Sequence, residues 1–357
     1  MKKILSLLST KGIKCYQTDR YNLDHKHLVP FEDEGEIFDS NVVFESEHKS
    51  GQFVKINRDA NDSFFRFFLD GSRYTYKIAD METTDGKYLP IVAGQVATGV
   101  TIRDGEKIRR HILKKMNLML VSDRTNQDDL AEIKEEVKQY SRLEIEIETY
   151  NSRRDSTIRP ENLAIARIQK IMMDMEIDIL SEIAKSRTLK PDAMLIIDGS
   201  LQFIDKGVND RLFSNVIGLS KSFNPNLQGM LKRKNDEIGI ALTKLKYGER
   251  TPVYKYPMRD NNRVIGAWYL RIRDEKRMKN PLDGIAKLEK IAINTEEKDN
   301  GFESGLIDNI SASILAERNV TCYGNDPRWH NHIYPMYLTE KMLKSSFLSS
   351  EHFLNIF

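Results

Sequence analysis

Phe64–Ile78 reads FFRFFLDGSRYTYKI, and the reading of this stretch decides the fold. Phe64, Phe65, Phe67, Phe68 and Leu69 surround a lone Arg66 and run into Asp70-Gly71-Ser72, after which Tyr74, Tyr76 and Ile78 alternate with polar residues. Aromatic and β-branched enrichment over so short a run predicts a buried strand rather than a helix. A carboxylate at the end of such a strand is costly to bury unless something neutralises it, and a divalent cation is one such partner. The motif returns at Ala193–Leu201, AMLIIDGSL, with Asp198 in the place of Asp70. Asp-Gly behind a strand is also a common turn signal, and either copy alone is more often a hairpin or a strand exit than a ligand. Two copies open a second reading. Strands that each deliver an aspartate into one sheet can bring both carboxylates to one point, the geometry of a metal-dependent phosphodiesterase.

Downstream of the first motif, Tyr88–Arg103 and Arg109–Ser122 read as strands around an Asp104-Gly105 turn, which completes an antiparallel meander. Asn126–Tyr150 reads as a charged, solvated helical region. Pro160–Ser186 carries the longest helical signal: Pro160 suits a first turn, and Ile165, Ile168, Met172, Met175, Ile179 and Ile183 recur at helical spacing. The second Asp-Gly-Ser strand follows, then a short strand at Asn215–Ser222 that ends near Lys221. A meander followed by β-α-β predicts an α/β fold with an RNase H-like mixed sheet flanked by helices. Arg263–Arg273 and Ile285–Ile293 read as late strands, and Gly305–Arg318 and Met336–Phe347 as helices. Residues 1–60 read as an N-terminal extension packed on a core domain of residues 61–357, with a short helix near Ile4–Leu8 and short strands at Asn41–Glu45 and Phe53–Ile56.

Composition bounds the function. Lys+Arg 55 against Asp+Glu 53 leaves a net charge of +2, so any affinity for nucleic acid has to come from local patches. Cys15 and Cys322 are the only cysteines, which excludes a disulfide framework and a cysteine-rich zinc site and suits a reducing cytoplasm. No apolar run reaches membrane-spanning length. There is no Walker A loop, GxGxxG or HExxH motif, which argues against a P-loop, a Rossmann dinucleotide site and a zincin.

Hydrolysis of a phosphodiester needs a deprotonated water and a stabilised leaving oxyanion, and two divalent ions about 4 Å apart can supply both when three or four carboxylates hold them. Asp70 and Asp198 supply two. Glu176, on the helix just before the second aspartate strand, is the first choice for a third; Glu182, one and a half turns further, is the second and lies on a different face. In Arg328–Tyr334 (RWHNHIY), His330 and His332 would point to the same side of an extended segment, as metal ligands, proton shuttles or phosphate contacts, or as ordinary structural histidines. Asp308 is a weaker candidate. Basic residues gather at Lys107–Lys115, around Lys221, at Lys232-Arg233-Lys234, at Lys244–Arg250 and at Arg271–Lys279, interleaved with Tyr247, Trp268 and Tyr269. Such clusters are either solvated surface or a nucleic-acid groove.

Taken in order, FLDGS, MEIDIL, LIIDGSL, VIGLSKS, WYLRI followed by KLEKI, and IYPMYL resemble the NurA nuclease family, over Asp70 to Tyr337. The resemblance implies an RNase H-like, Mn²⁺- or Mg²⁺-dependent nuclease acting on single-stranded DNA and DNA ends. It also implies a homodimer and a separate HerA-type hexameric ATPase as partner, in end resection, repair or antiviral defence. By position it assigns Asp70 and Asp198 to the motif aspartates, Glu176 to the helical glutamate, Lys221 to a phosphate-holding lysine and Tyr334 to the late tyrosine. The family pattern places a histidine about two helical turns after that tyrosine; Lys341-Met342 stand there instead, and His330 or His332 is the substitute from upstream. The rival expectation is a non-catalytic nucleic-acid-binding or assembly subunit that keeps the fold without the metals.

Overall fold

The computed structural model describes residues 4–16, 20–24, 43–48, 52–57, 63–83, 86–140, 143–152, 158–204, 207–223, 238–257, 263–321 and 330–357. In chain order the elements begin with α1 (Ile4–Thr10), β1 (Cys15–Tyr16), β2 (Tyr21–Asn22) and β3 (Val54–Lys55). The meander β4 (Phe65–Glu82), β5 (Tyr88–Asp104) and β6 (Lys107–Ser122) follows, then α2 (Gln127–Tyr140), β7 (Ile145–Tyr150), α3 (Pro160–Lys185), β8 (Met194–Asp198) and β9 (Val216–Ser220). The last third holds α4 (Ile238–Leu242), β10 (Glu249–Arg250), β11 (Tyr254–Pro257), β12 (Val264–Arg271), β13 (Ile285–Ile291), α5 (Thr295–Asn300), α6 (Ser304–Ala316), α7 (Tyr334–Ser345) and α8 (Ser350–Leu354).

Among the described residues thirteen strands form one mixed sheet, whose main path runs β3-β10-β12-β13-β9-β8-β4-β5-β6-β7. At its centre β4, β5 and β6 are antiparallel, while β8 pairs parallel with β4 and β9 parallel with β8. The meander expected from the sequence is therefore present, and α3 leads into parallel β8 and β9, which two short 3-10 turns join instead of a helix. The sheet extends beyond them through β13 and β12, which pair antiparallel over seven positions.

Two expectations need correction. Asp70 does not end a strand: β4 continues for eighteen residues through Asp-Gly-Ser, with Gly71 opposite Thr98 and Ser72 opposite Ala97 on β5. An Asp-Gly pair breaks a strand only where the backbone turns, and Gly71 keeps the ladder. The region Asn126–Tyr150 is not all helical either, because α2 stops at Tyr140 and Ile145–Tyr150 joins β6 as a parallel strand. The reason is legible in IEIETY, whose apolar residues repeat every second position.

Alternation along β4 and β8, interrupted on β4 by a register shift between Phe65 and Phe67, sorts side chains to two faces. Phe67, Leu69, Leu195 and Ile197 pack with Ile179, Leu180 and Ile183 of α3. Phe65, Phe68, Met194 and Ile196 pack on the other side with Ile307 and Ile310 of α6 and Ile333 and Met336 around α7. Each such side chain contributes roughly 1.5–3 kcal/mol when fully buried, so the sheet is held between helical layers by its own apolar pattern. Described parts of the first sixty residues build a separate core: Ile4, Leu5, Leu7 and Leu8 pack with Phe353 and Phe357. Glu45 makes a fully buried ion pair with Arg250 at 2.8 Å. Among the described residues no helix is long and apolar enough to cross a membrane.

Candidate functional site

Strand register creates the site. β4 and β8 pair in parallel with Leu69 opposite Ile197, so the next residue on each strand, Asp70 and Asp198, falls side by side on strands about 4.8 Å apart. β8 ends there, and the chain leaves through Gly199, whose φ of 115° favours glycine, while its amide donates to the Leu219 carbonyl at 2.9 Å. Beyond β9, Lys221 places its ammonium 2.6 Å from Asp198 Oδ2 and 3.5 Å from Glu340 Oε2 on α7. Asn331 fixes this corner by donating to the Lys221 carbonyl at 2.7 Å and accepting from the Gly284 amide at 2.8 Å.

Glu176 stands on α3, on the face of β4 that Leu69 and Gly71 share, whereas Asp70 points to the α7 face, where a methyl group on its partner Gly99 would meet Leu343 and Met342. A methyl group on Gly71 would overlap the Glu176 carboxylate and press on Met172, so the glycine of the first Asp-Gly-Ser is the space through which the glutamate approaches β4. Glu176 and Asp198 line one cleft of about 260 Å³, with Ser200 and Leu201 on the turn after β8 and Ile177 from α3. Glu182 does not join them. Its side chain is 56% exposed and paired with Lys114 at 3.0 Å, so only one of the two helical glutamates faces the sheet, as their spacing requires.

The electrostatics follow from crowding carboxylates in a poorly solvated place. Burial, then the charge of Asp198, raises the Asp70 carboxyl well above its ordinary value, with Lys221 opposing and Glu340 and Glu176 adding. Its Oδ1 accepts from the Gly71 amide at 2.8 Å, but its Oδ2 is buried without a hydrogen-bond partner among the described residues. Burial and Asp198 push Glu176 up to about 8. Burial works against the Lys221 ammonium, yet Asp198, Asp70 and Glu340 outweigh it and raise its pKa. Glu340 behaves oppositely to its neighbours: the His332 hydrogen bond, with help from Lys221 and Lys344, holds its carboxyl below the usual carboxylate range.

Sequence reasoning missed Glu340. It accepts from Lys344 at 2.6 Å and lies 3.0 Å from His332 Nε2, and it stands one residue before the Lys341-Met342 position at which the late histidine was sought. The available signal was its spacing from buried Met336 and Leu343 on one face of α7. His332 is buried, and burial lowers its pKa against the Glu340 hydrogen bond, which raises it.

Several other candidates go elsewhere. His330 does not share the side of His332: its Nε2 lies 3.9 Å from Asp283, because residues 330–331 form a helical turn rather than an extended run. Tyr334 is stacked under the Arg318 guanidinium, 4.9 Å from the ring centroid. Asp308 accepts from buried Arg250 at 2.7 Å. Arg271, expected to contact nucleic acid, is fully buried. Its guanidinium donates to the carbonyls of Leu242, Leu245, Pro281 and Asp283, tying loops to β12. Lys232, Arg233 and Lys234 lie outside the described residues. Among the described residues no three His, Cys, Asp or Glu side chains stand close enough to close around one ion as they are.

No family model matches this chain, and no curated protein matches it. Among solved structures it is similar to the crystal structure of the NurA nuclease from Sulfolobus solfataricus, at 10% identity and a TM-score of 0.46 over 85% of each chain. A likeness at that level leaves the chemistry to be argued from the side chains.

Proposed function

We propose that this chain is a divalent-cation-dependent DNA nuclease of the NurA kind, with an RNase H-like centre. The observation that carries the reading is the buried Asp70 Oδ2 left without a partner among the described residues, one strand away from Asp198, with Glu176 on the other face of the same strand at Gly71. An unpaired carboxylate oxygen in such a place costs free energy that a cation would offset. The donor set fits hard ions: Asp70, Asp198 and Glu176 offer only oxygens, the ligands of Mg²⁺ and Mn²⁺. When bound, such an ion lowers the pKa of water and polarises a phosphoryl oxygen.

The chain's own groups have separable tasks. Asp70, Asp198 and Glu176 hold the cation and repel any anion that arrives without one. Lys221, fixed by Asp198 and Glu340 at its head and by Asn331 at its carbonyl, supplies a positive charge to a phosphate oxygen. Glu340 and His332 orient that ammonium. A homodimer working with a HerA-type hexameric ATPase belongs to the same proposal and rests on the order of motifs alone.

The test is degradation of single-stranded and duplex DNA in Mn²⁺ or Mg²⁺. Asp70→Ala and Asp198→Ala should abolish it while circular dichroism shows the fold intact; activity that persists in both refutes the assignment. A second reading, a binding or assembly subunit without metals, is favoured by the 2.6 Å contact that already gives Asp198 a cationic partner. Calorimetric titration with Mn²⁺ separates the two, since the subunit should show no uptake that depends on Asp70.

A further inference from the structure

Glu289 on β13 is completely buried and receives donors from one short turn. Its Oε2 accepts from the Leu201 amide at 2.7 Å and from the Ser200 hydroxyl at 2.9 Å. Its Oε1 accepts from Gln202 Nε2 at 2.9 Å and lies 2.6 Å from Lys287 Nζ. Ser200 Oγ in turn accepts from the Gln202 amide at 3.2 Å. Three consecutive residues, beginning two after Asp198, are thus tied to a single carboxylate. One carboxylate satisfies all three only if the turn keeps one conformation.

The turn needs such a tie. β8 is five residues long and Asp198 is its last, where ladder bonds fray most easily. Upstream, Ile197 is held by Gly218 on β9 and Leu69 on β4. Downstream, the turn presses so closely on β9 that a methyl group on Gly218 would lie 2.8 Å from Leu201 Cγ and 3.0 Å from the Gly199 carbonyl oxygen.

We propose that Glu289 is a positioning residue for Asp198: through Ser200, Leu201 and Gln202 it fixes the turn that aims the Asp198 carboxylate and forms a wall of the cleft shared with Glu176. The inference rests on the nuclease reading for what Asp198 does, but not for how it is held. Outer partners of metal-ligating carboxylates orient them, and their removal typically weakens metal binding about 10- to 100-fold. The serine of the second Asp-Gly-Ser is therefore a connector to Glu289.

The experiment uses the full chain with Glu289→Gln, Ser200→Ala and Asp198→Asn, each below its unfolding temperature. Hydrogen exchange at the Leu201 amide, referred to Ile196 in mid-strand, should quicken at least about tenfold in Glu289→Gln. The Mn²⁺ dissociation constant from calorimetry should rise about 10- to 100-fold in Glu289→Gln and in the same direction in Ser200→Ala. A merely structural role would lower the unfolding temperature and leave the Mn²⁺ constant of the folded protein unchanged. Unchanged Leu201 exchange, or quickened exchange with an unchanged Mn²⁺ constant, overturns the proposal. If Glu289→Gln does not fold, Ser200→Ala carries both readouts. Wild-type protein with no Asp198-dependent Mn²⁺ uptake sinks the nuclease reading instead, and Leu201 exchange still decides whether Glu289 pins the turn.

Discussion

Removing the ionisable proton of Glu176 should change how stability depends on pH, by an amount the structure lets us calculate. The folded protein raises this carboxyl from 4.5 to about 8, first through burial and then through Asp198. A raised carboxylate pKa means that the native state holds the proton more tightly than the unfolded chain. The associated stability is complete below about pH 4.5 and is lost as pH rises through about 8. The full span, 3.5 pH units at about 1.4 kcal/mol each, is on the order of 5 kcal/mol, of which about 4 kcal/mol falls between pH 5 and pH 9. Asp70 is raised too, so the wild-type slope alone is a compound quantity and the informative measurement is a difference. Urea unfolding in EDTA, followed by the fluorescence of fully buried Trp268, would be run on wild type and Glu176→Gln at both pH values. Wild type should lose about 4 kcal/mol more than the variant on going to high pH. Excess Mg²⁺ should flatten the wild-type slope, because a cation bound to the deprotonated form stabilises it by mass action. Parallel pH profiles for the two proteins would refute the electrostatic account of the cluster.

Other expectations follow from single contacts. Gly71→Ala puts a methyl group where the Glu176 carboxylate sits; it should cost about 1–3 kcal/mol as overpacking and abolish Mn²⁺ uptake more completely than it lowers the unfolding temperature, checked by calorimetry beside thermal melts. Glu45→Ala takes from the buried Arg250 guanidinium its bidentate partner at 2.8 and 3.0 Å and leaves it Asp308 at 2.7 Å; chemical denaturation should show a loss of about 3 kcal/mol, the low end for a broken buried pair. Arg271→Met removes four carbonyl contacts from inside the protein, so it should lower stability without changing the salt dependence of DNA binding by the folded protein.

The parts of this molecule that were legible from its residues are those set by local pattern. FFRFFL and AMLII announce buried strands, the helical repeat from Pro160 announces α3, and the spacing of Glu176 and Glu182 means that only one can face the sheet. What was not legible depends on pairing between distant segments. The two Asp-Gly-Ser copies look alike, yet Gly71 stays in a strand and gives room to Glu176, while Gly199 turns the chain with a φ of 115°. Nothing local distinguishes them; the difference is that β4 has β5 to pair with beyond the motif, whereas β8 ends. Arg271 was misread for the same reason, because a basic run betrays nothing about which of its members is enclosed by later loops.

Glu340 reaches Lys221 from α7 at a position that the order of motifs does not name. The late histidine was sought at Lys341-Met342, but the group that reaches Lys221 is the residue before, on the face of α7 that Met336 and Leu343 bury. That face is fixed from within: buried Thr339 bonds Thr101 of β5 at 2.6 Å, which sets the rotation of α7 and, one residue on, the direction of Glu340. The carboxylate accepts from Lys221 at 3.5 Å and from Lys344 at 2.6 Å while His332 stands 3.0 Å away. Lys221 thus carries the cation that faces the aspartates, and Glu340, between Lys221 and Lys344, is the carboxylate that holds it from α7.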